Sequence, residues 1–461
     1  MSYAEFIARK RLQVATYGFD AIVTNPHLKD WQSRIVNWAI KRGRAALFEG
    51  TGLGKTLQQL VWSENIVKKA GPVLLICPLG VRLQTKDESA KFGIGCDVRL
   101  VQDQSECGGG INITNYDRID KFVATEFAGV CLDESAILKG LTSKTRKTLC
   151  DMFANTNYRL ACTATPSPND HTELGNHAEF LGVMKSIDMQ TRFFYHDSGD
   201  TASWILMPHA EKDFWAWVAS WAVCIGMPSD INGDDDGYVL PELITHRYFV
   251  EIPELALTDG MLFNVGRTIS ATNIHHEKRL SVQFRIEKAI EVIRREPERK
   301  CVVWCDSNQE QDMLRKELGA SCVSIQGSDS AETKERLERE WRCGEVPVLL
   351  TKGSIFGAGM NWQHCSKMVF VGLTYSFEQY YQSIRRCWRF GQQDEVDVHL
   401  VIAETESAMQ SAIARKESDF ESMRSGMADA MRERTLEEFG LDNRRVEVIP
   451  TKQMTVPEWL K

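Results

Sequence analysis

The stretch "AALFEGTGLGKT", Ala45 to Thr56, decides how the rest of the chain is read. It ends like a phosphate-binding loop, yet it misses the strict pattern GxxxxGK[ST], because Glu49 stands where that pattern has its first glycine. The flanks supply what the letters leave open. "AALFE" reads as a buried strand, "GTGLG" holds three glycines able to take positive φ and expose backbone N–H groups, and "KTLQQLVW" opens a helix whose N-terminus favours an anion. In such a loop Gly50, Thr51, Gly52, Leu53 and Gly54 cradle phosphates, Lys55 reaches the terminal ones, and the Thr56 hydroxyl ligates a divalent cation.

The bulk composition leaves room for such a site. At 461 residues, 43% hydrophobic and 26% charged, the chain has the profile of an ordinary globular protein of two or three domains. Its apolar runs, such as "VLLIC" (Val73 to Cys77), fall far short of the roughly 20 residues of a membrane span. The start "MSYAEFIARKRLQ" lacks an apolar signal core, so an intracellular protein is expected, in the host cytoplasm if the source is a phage. Thirteen cysteines, scattered without a CxxC pair, suggest reduced, buried thiols rather than a disulfide framework or zinc site. A net charge of −8 argues against nonspecific coating of nucleic acid but leaves open a motor with a local basic track.

Short β-branched runs alternate with helical stretches from "AALFE" to "YRLACTATP", and a second such series runs from about residue 280 to "VDVHLVIAE". Strands alternating with helices predict parallel sheets covered on both faces. The expected organisation is a helical lead-in over 1–26, an ATP-binding lobe over 27–185, a Trp-rich helical inter-lobe segment over 186–275, a second lobe over 276–404 and a charged helical tail over 405–461. In the inter-lobe segment the acidic loop "DINGDDDG" fails the calcium-loop pattern, and "FWAWVASW" reads as a packed helix rather than a base-stacking stripe.

Two further stretches carry chemistry. "VCLDES" (Val130 to Ser135) is an apolar strand ending in adjacent carboxylates, which strand alternation sends different ways: Asp133 toward a metal and Glu134 toward a water. Phosphoanhydride hydrolysis asks for that division. "QSIRRCWRFGQ" (Gln382 to Gln392) sets Arg386 and Arg389 three apart, on one face if helical, where guanidinium groups could meet the first lobe's triphosphate.

In order along the chain, "DWQ", "EGTGLGKT", "LLICPLG", "ITNYDRI", "LDESAILKG", "LACTATPSPNDHTELGNHAEFL", "VLLTKGSIFGAGMNW" and "QSIRRCWRFGQ" resemble the motifs of superfamily 2 helicases. The resemblance is narrower to the Swi/Snf remodeller-like branch, and to compact DEAD/DEAH-type members encoded by bacteriophages; it covers about 27–402. It implies α/β architecture with two RecA-like parallel-sheet lobes in tandem, an ATP cleft between them, and ATP and Mg²⁺ as cofactors. By the same resemblance, Gln32 reads adenine, Asp133 and Thr56 hold Mg²⁺, Glu134 activates water, and Arg386 and Arg389 are finger candidates. Thr163 and Thr165 couple hydrolysis to lobe movement, while Gly359, Asn361 and Gln382 face the cleft. Thr114 and Lys352 fall in segments that touch the nucleic-acid backbone in relatives, and Lys139 stands at the family's lysine.

The chain departs from the pattern at "DESA", where Ser135 and Ala136 replace the usual end of the acidic box. It also carries "IGMPSDINGDDDG" where relatives often have paired arginines, which puts brace-like regulation of the lobes in doubt. The resemblance implies an ATP hydrolase that moves along DNA, with duplex translocation favoured and single strands or RNA as other tracks. A strand-separating helicase and a noncatalytic decoy binding nucleic acid or protein are the alternatives. No membrane partner is expected.

Overall fold

The structure, a computed structural model, describes residues 15–139, 143–167, 170–196, 204–250, 271–356, 360–372, 376–403 and 407–441. In chain order its strands are β1 (Arg44–Glu49), β2 (Val73–Cys77), β3 (Val98–Leu100), β4 (Ile111–Asn115), β5 (Gly129–Asp133), β6 (Tyr158–Thr163), β7 (Phe194–His196), β8 (Trp204–Leu206) and β9 (Ala222–Ile225). There follow β10 (Leu243–Val250), β11 (Cys301–Cys305), β12 (Cys322–Ser324), β13 (Val348–Thr351), β14 (Lys367–Val371) and β15 (Val396–Ala403). They form a seven-stranded sheet, β3-β4-β2-β5-β6-β1-β9, a six-stranded sheet, β10-β15-β14-β11-β13-β12, and the antiparallel pair β7-β8. Every neighbour in the two large sheets is parallel. The two parallel α/β lobes expected from the alternation are therefore present.

Parallel strands need crossovers, and crossovers place helices on both faces, so the central strands are buried on both sides. The packing follows the two-residue period. Leu74 and Ile76 of β2 join one core of lobe 1, while Val73, Leu75 and Cys77 join the other. In lobe 2, Val302 and Trp304 of β11 pack on one face, and Cys301, Val303 and Cys305 on the other. All thirteen cysteines are free thiols, and most are buried.

Two strands of residues 186–275 are divided between the lobes. β9 pairs with β1 at the edge of the lobe 1 sheet, whereas β10 pairs with β15 in lobe 2. The tryptophan stripe is core: Trp215, Trp217 and Trp221 are buried in lobe 1. The tail also returns to lobe 1. Its helix, Ser407–Glu438, buries Met427 and Met431 in the same core as Trp221, and Arg42 ion-pairs with Glu438 at its far end. No helix among the described residues is long and apolar enough to cross a membrane.

Three adjacent strands position the site. β5, β6 and β1 lie side by side and parallel, so the acidic pair, the threonine segment and the glycine loop all emerge at one edge of the sheet.

Candidate functional site

The loop after β1 is built as its glycines allow. Gly52 (φ 92°) and Gly54 (φ 83°) take left-handed conformations, and Gly54 caps the helix Lys55–Lys69. A Cβ on Gly52 would stand 2.9 Å from Cβ of Phe390, so lobe 2 rests directly on the loop. Lys55 Nζ donates to the carbonyl oxygens of Glu49 (2.8 Å) and Gly50 (3.0 Å), within reach of the anion the loop is shaped to hold. Thr56 is partly exposed in the first turn of that helix.

Gln32 is a structural part of this loop. Its amide nitrogen donates to the Leu53 carbonyl (2.8 Å), its amide oxygen accepts from Lys29 N–H (2.9 Å), and the side chain is buried. Beneath the loop lies Glu49, fully buried, with Oε2 accepting from Gln58 Nε2 at 2.8 Å and Oε1 without a partner. Burial lifts its carboxyl to about 7, against the pull of nearby Lys55 and the Gln58 hydrogen bond.

The acidic pair is held from within lobe 1. Asp133 Oδ1 accepts from Gln59 Nε2 (2.8 Å), and Tyr116 OH donates to the Asp133 carbonyl (2.6 Å). Glu134 sits at φ 58°, a left-handed conformation that costs a non-glycine residue on the order of 1–3 kcal/mol. Its Oε1 accepts from Thr163 Oγ1 at 2.6 Å, and Thr163 Oγ1 in turn accepts from Thr165 N–H at 3.0 Å. Of the two expected coupling threonines, Thr163 touches Glu134 and Thr165 reaches it through Thr163. Burial raises both carboxyls, and the Gln59 and Thr163 hydrogen bonds oppose it.

The departure at "DESA" has a structural counterpart. Ser135 Oγ lies 3.1 Å from Nε2 of His177, a fully buried histidine on the helix Leu174–Leu181 whose pKa burial pushes down to about 4. A neutral imidazole packed edge-on against Phe48 thereby ties the acidic box to that helix.

Lobe 2 faces these groups through the helix Phe377–Cys387 and the turn after it. Arg386 and Arg389 both donate to the Met360 carbonyl, at 3.3 and 3.1 Å. Their surroundings then separate them. Burial lowers Arg386 to about 9 and Arg389 pushes it the same way, while the carboxylates of Glu134 and Asp133 hold it up. Arg389 is also lowered by burial but is supported by Glu88 of lobe 1. Only Arg386 is thus coupled to the acidic pair, a distinction that their spacing did not carry. Gln382 lines a cleft of about 500 Å³ together with Glu134, Tyr116 and Lys139.

Other expected positions lie apart from this centre. Thr114 is wholly buried in β4, so its side chain offers no surface to a nucleic-acid strand. Lys352 is accessible, with Nζ donating to Asn308 Oδ1 at 2.6 Å. Asn361 is exposed and accepts from Gln363 N–H, and Gly359 lies outside the described residues. Reading by motif assigned no role to Gln58, Gln59, Tyr116, Glu88 and His177; Tyr116 and His177 lie inside the motifs "ITNYDRI" and "LACTATPSPNDHTELGNHAEFL", and the other three between motifs.

A separate cluster, His246, Asp397 and His399, spans β10 and β15. Its imidazoles are stacked at 4.6 Å and 15°, so their in-plane lone pairs lie in nearly parallel planes. Asp397 is already paired with Arg299 (2.9 Å) and His246 (2.7 Å).

Comparison with known proteins agrees with this layout. Residues 31–194 match the SNF2-related domain, and residues 285–391 match the helicase conserved C-terminal domain. The chain is 29% identical over 175 residues to the chromodomain-helicase-DNA-binding protein 1-like of Mus musculus, covering 33% of this chain and 19% of that protein. It is 26% identical over 202 residues to the SWI/SNF-related matrix-associated actin-dependent regulator of chromatin subfamily A-like protein 1 of Xenopus tropicalis, covering 41% and 20%. This chain's match therefore spans about a fifth of the length of these curated relatives. A solved structure, the Sulfolobus solfataricus SWI2/SNF2 ATPase core in complex with dsDNA, is 18% identical, with 93% of this chain and 100% of that one covered and a TM-score of 0.40. With an SNF2-related domain followed by a helicase C-terminal domain, the chain belongs to the superfamily 2 helicases, on their Snf2 branch.

Proposed function

We propose that this chain is an ATP-driven motor that translocates on duplex DNA. The observation that carries the reading is the meeting of the two lobes over the site: Gln382 of lobe 2 lines one cleft with Glu134, Phe390 stands against Gly52 of the phosphate loop, and the Glu134 and Asp133 carboxylates support the buried Arg386 guanidinium, so that the hydrolytic set is whole only when the lobes meet. In this reading the loop N–H groups and Lys55 take the triphosphate, with Lys55 exchanging loop carbonyls for phosphate oxygens. Glu134 accepts the proton of the attacking water, its carboxyl raised by burial and aimed by Thr163. Arg386 meets the charge that develops on the transferring group.

The oxygens available suit Mg²⁺, a hard cation: the Asp133 carboxylate, the Thr56 hydroxyl, and nearby the buried Gln59 Oε1, which has no partner. When bound, the ion would neutralise phosphate charge. The Thr165–Thr163–Glu134 chain of hydrogen bonds links the water-activating group to the segment after β6, whose Ser167 reaches Met423 and Met427 of the tail helix. Closure of the lobes on ATP and reopening after hydrolysis would then step the motor along a phosphate backbone. Such a grip gives little sequence specificity and strong salt dependence.

The DNA track is supported by the curated relatives, one of which is named for DNA binding, and duplex is favoured by the Snf2 motifs. The test is the ATPase rate with duplex DNA, single-stranded DNA and RNA, run beside triplex displacement and fork unwinding. Duplex stimulation with third-strand displacement is expected. Fork unwinding without displacement would favour strand separation instead, for which the antiparallel pair β7-β8 offers the exposed side chains Tyr195 and Ile205.

A further inference from the structure

The backbone of Glu134 asks for an explanation that its side chain does not give. Its φ of 58° lies in the left-handed region, which a residue with a Cβ disfavours. Among the described residues the other non-glycine with positive φ is Asn232, and asparagine takes that region far more readily. A glutamate stays there only where its surroundings fix the chain, and residues so held cluster where geometry serves a reaction.

The fixing group is Tyr116. The Asp133 carbonyl and the Glu134 N–H belong to one rigid peptide plane, so the orientation of that carbonyl governs φ of Glu134. Tyr116 OH donates to the carbonyl oxygen at 2.6 Å, and at the other end of the plane Glu134 N–H donates to the Asp133 carboxylate. The phenol remains a donor, because burial and then the Asp133 carboxylate raise it well above its usual range. Its ring is anchored as well, in the same lobe 1 core as Ile119, Phe122 and Leu138.

Thr163 acts on a different part of the same residue. It holds the Glu134 carboxylate at 2.6 Å but leaves the peptide plane free to turn. Glu134 also lines the cleft of about 500 Å³, which offers the plane room to relax once the phenol lets go. Relaxation to negative φ would redirect the side chain and carry its carboxylate off Thr163.

We infer that Tyr116 is a positioning residue for hydrolysis: its hydroxyl locks the Asp133–Glu134 peptide and so keeps the Glu134 carboxylate in the pose that Thr163 completes. The inference rests on the proposed ATPase reading, with Glu134 as the base, and adds the group that sets the backbone of that base. Tyr116 works through Glu134 and contributes no proton to the reaction.

The experiment uses the full chain and the variant Tyr116→Phe, which removes the hydroxyl and keeps the ring. Loss of the hydrogen bond should lower kcat on the order of tenfold while KM for ATP and calorimetric binding of a nonhydrolysable Mg–nucleotide are kept. The deciding arm is a double-mutant cycle with Glu134→Gln, followed in single turnover. Tyr116→Phe should slow hydrolysis in the Glu134 chain but by less than about twofold in the Glu134→Gln chain, since the lock has nothing to position once the base is gone. An equal loss in both backgrounds, a raised KM with kcat unchanged, or a wild-type kcat in Tyr116→Phe overturns the lock and leaves the ATPase reading standing. Absence of ATP hydrolysis from the wild type overturns the ATPase reading and the lock together.

Discussion

The two walls of the cleft hold their charges in different ways. On the lobe 1 wall, Asp133 is bonded by Gln59 and Glu134 by Thr163, donors from the same lobe that fix each carboxylate before any partner arrives. On the lobe 2 wall, Arg386 and Arg389 both donate to the Met360 carbonyl, and burial lowers both. The charges that support them lie across the cleft, Glu134 and Asp133 for one and Glu88 for the other. One wall is preorganised by itself, and the other is stabilised by closing. That difference suits a motor, since geometry is kept in one lobe and the free energy of closure is written into the other.

The comparison breaks most sharply at Glu134. Glu134→Gln keeps the shape and the Thr163 contact but removes the proton acceptor, so the ATPase rate should fall by about 10² to 10⁴ with nucleotide binding retained. A variant with full activity would remove Glu134 as the base. Next come the arginines, which should not be equivalent. Arg386→Ala is expected to lower kcat by about 10³, as loss of a charge at the transferring phosphoryl group does. Arg389→Ala, whose support is Glu88, should cost less than about tenfold. Equal losses in the two variants would show that the asymmetry between them has no functional weight.

The arginine case also shows what the amino-acid order could convey. β1 with its loop, the strand ending in Asp133 and Glu134, and the helix carrying Arg386 were all readable, because each is a short, local pattern with a chemical reason for its spacing. Partners drawn from distant segments were not. Glu88 opposite Arg389, His177 behind Ser135 and Gln59 on Asp133 are single polar residues in ordinary helices, and only the crossovers of a parallel sheet bring them to the site. Thr114 differs in the opposite direction: its motif is local and readable, but β4 is buried on both faces, so the side chain lies in the core.

The tail tests the comparison at the level of stability. Met431 is fully buried in lobe 1 although the helix bearing it follows the last strand of lobe 2. Met431→Ala should therefore cost about 3 kcal/mol, by lost burial and the cavity left behind. Its effect should fall on the transition of lobe 1, followed by the fluorescence of the buried Trp215, Trp217 and Trp221. A loss confined to lobe 2 would detach the tail from the first wall.

The smallest effect concerns Glu49, the residue at which the phosphate-loop pattern fails. Its carboxyl is fully buried under the self-sufficient wall, and burial lifts it from 4.5 to about 7. A carboxyl whose pKa is higher folded than unfolded binds more protons in the native state between those values, so stability should fall as pH rises through that window and level off above it. The scale is at most about 3 kcal/mol, since each unit is worth about 1.4 kcal/mol and partial relaxation reduces the total. Urea midpoints taken at pH 5 and pH 8 should differ in the wild type, after the carboxyls common to both states are accounted for, and converge in Glu49→Gln. In Glu49→Gln the amide oxygen can go on accepting from Gln58, and in the wild type nearby Lys55 favours the ionised carboxylate. Binding of a triphosphate would draw Lys55 away and bring negative charge close to the loop, raising the Glu49 carboxyl further. Proton uptake on nucleotide binding near pH 7, present in the wild type and absent in Glu49→Gln, is the corresponding signature; its absence from both would mean that Glu49 ends the strand without sensing what the loop holds.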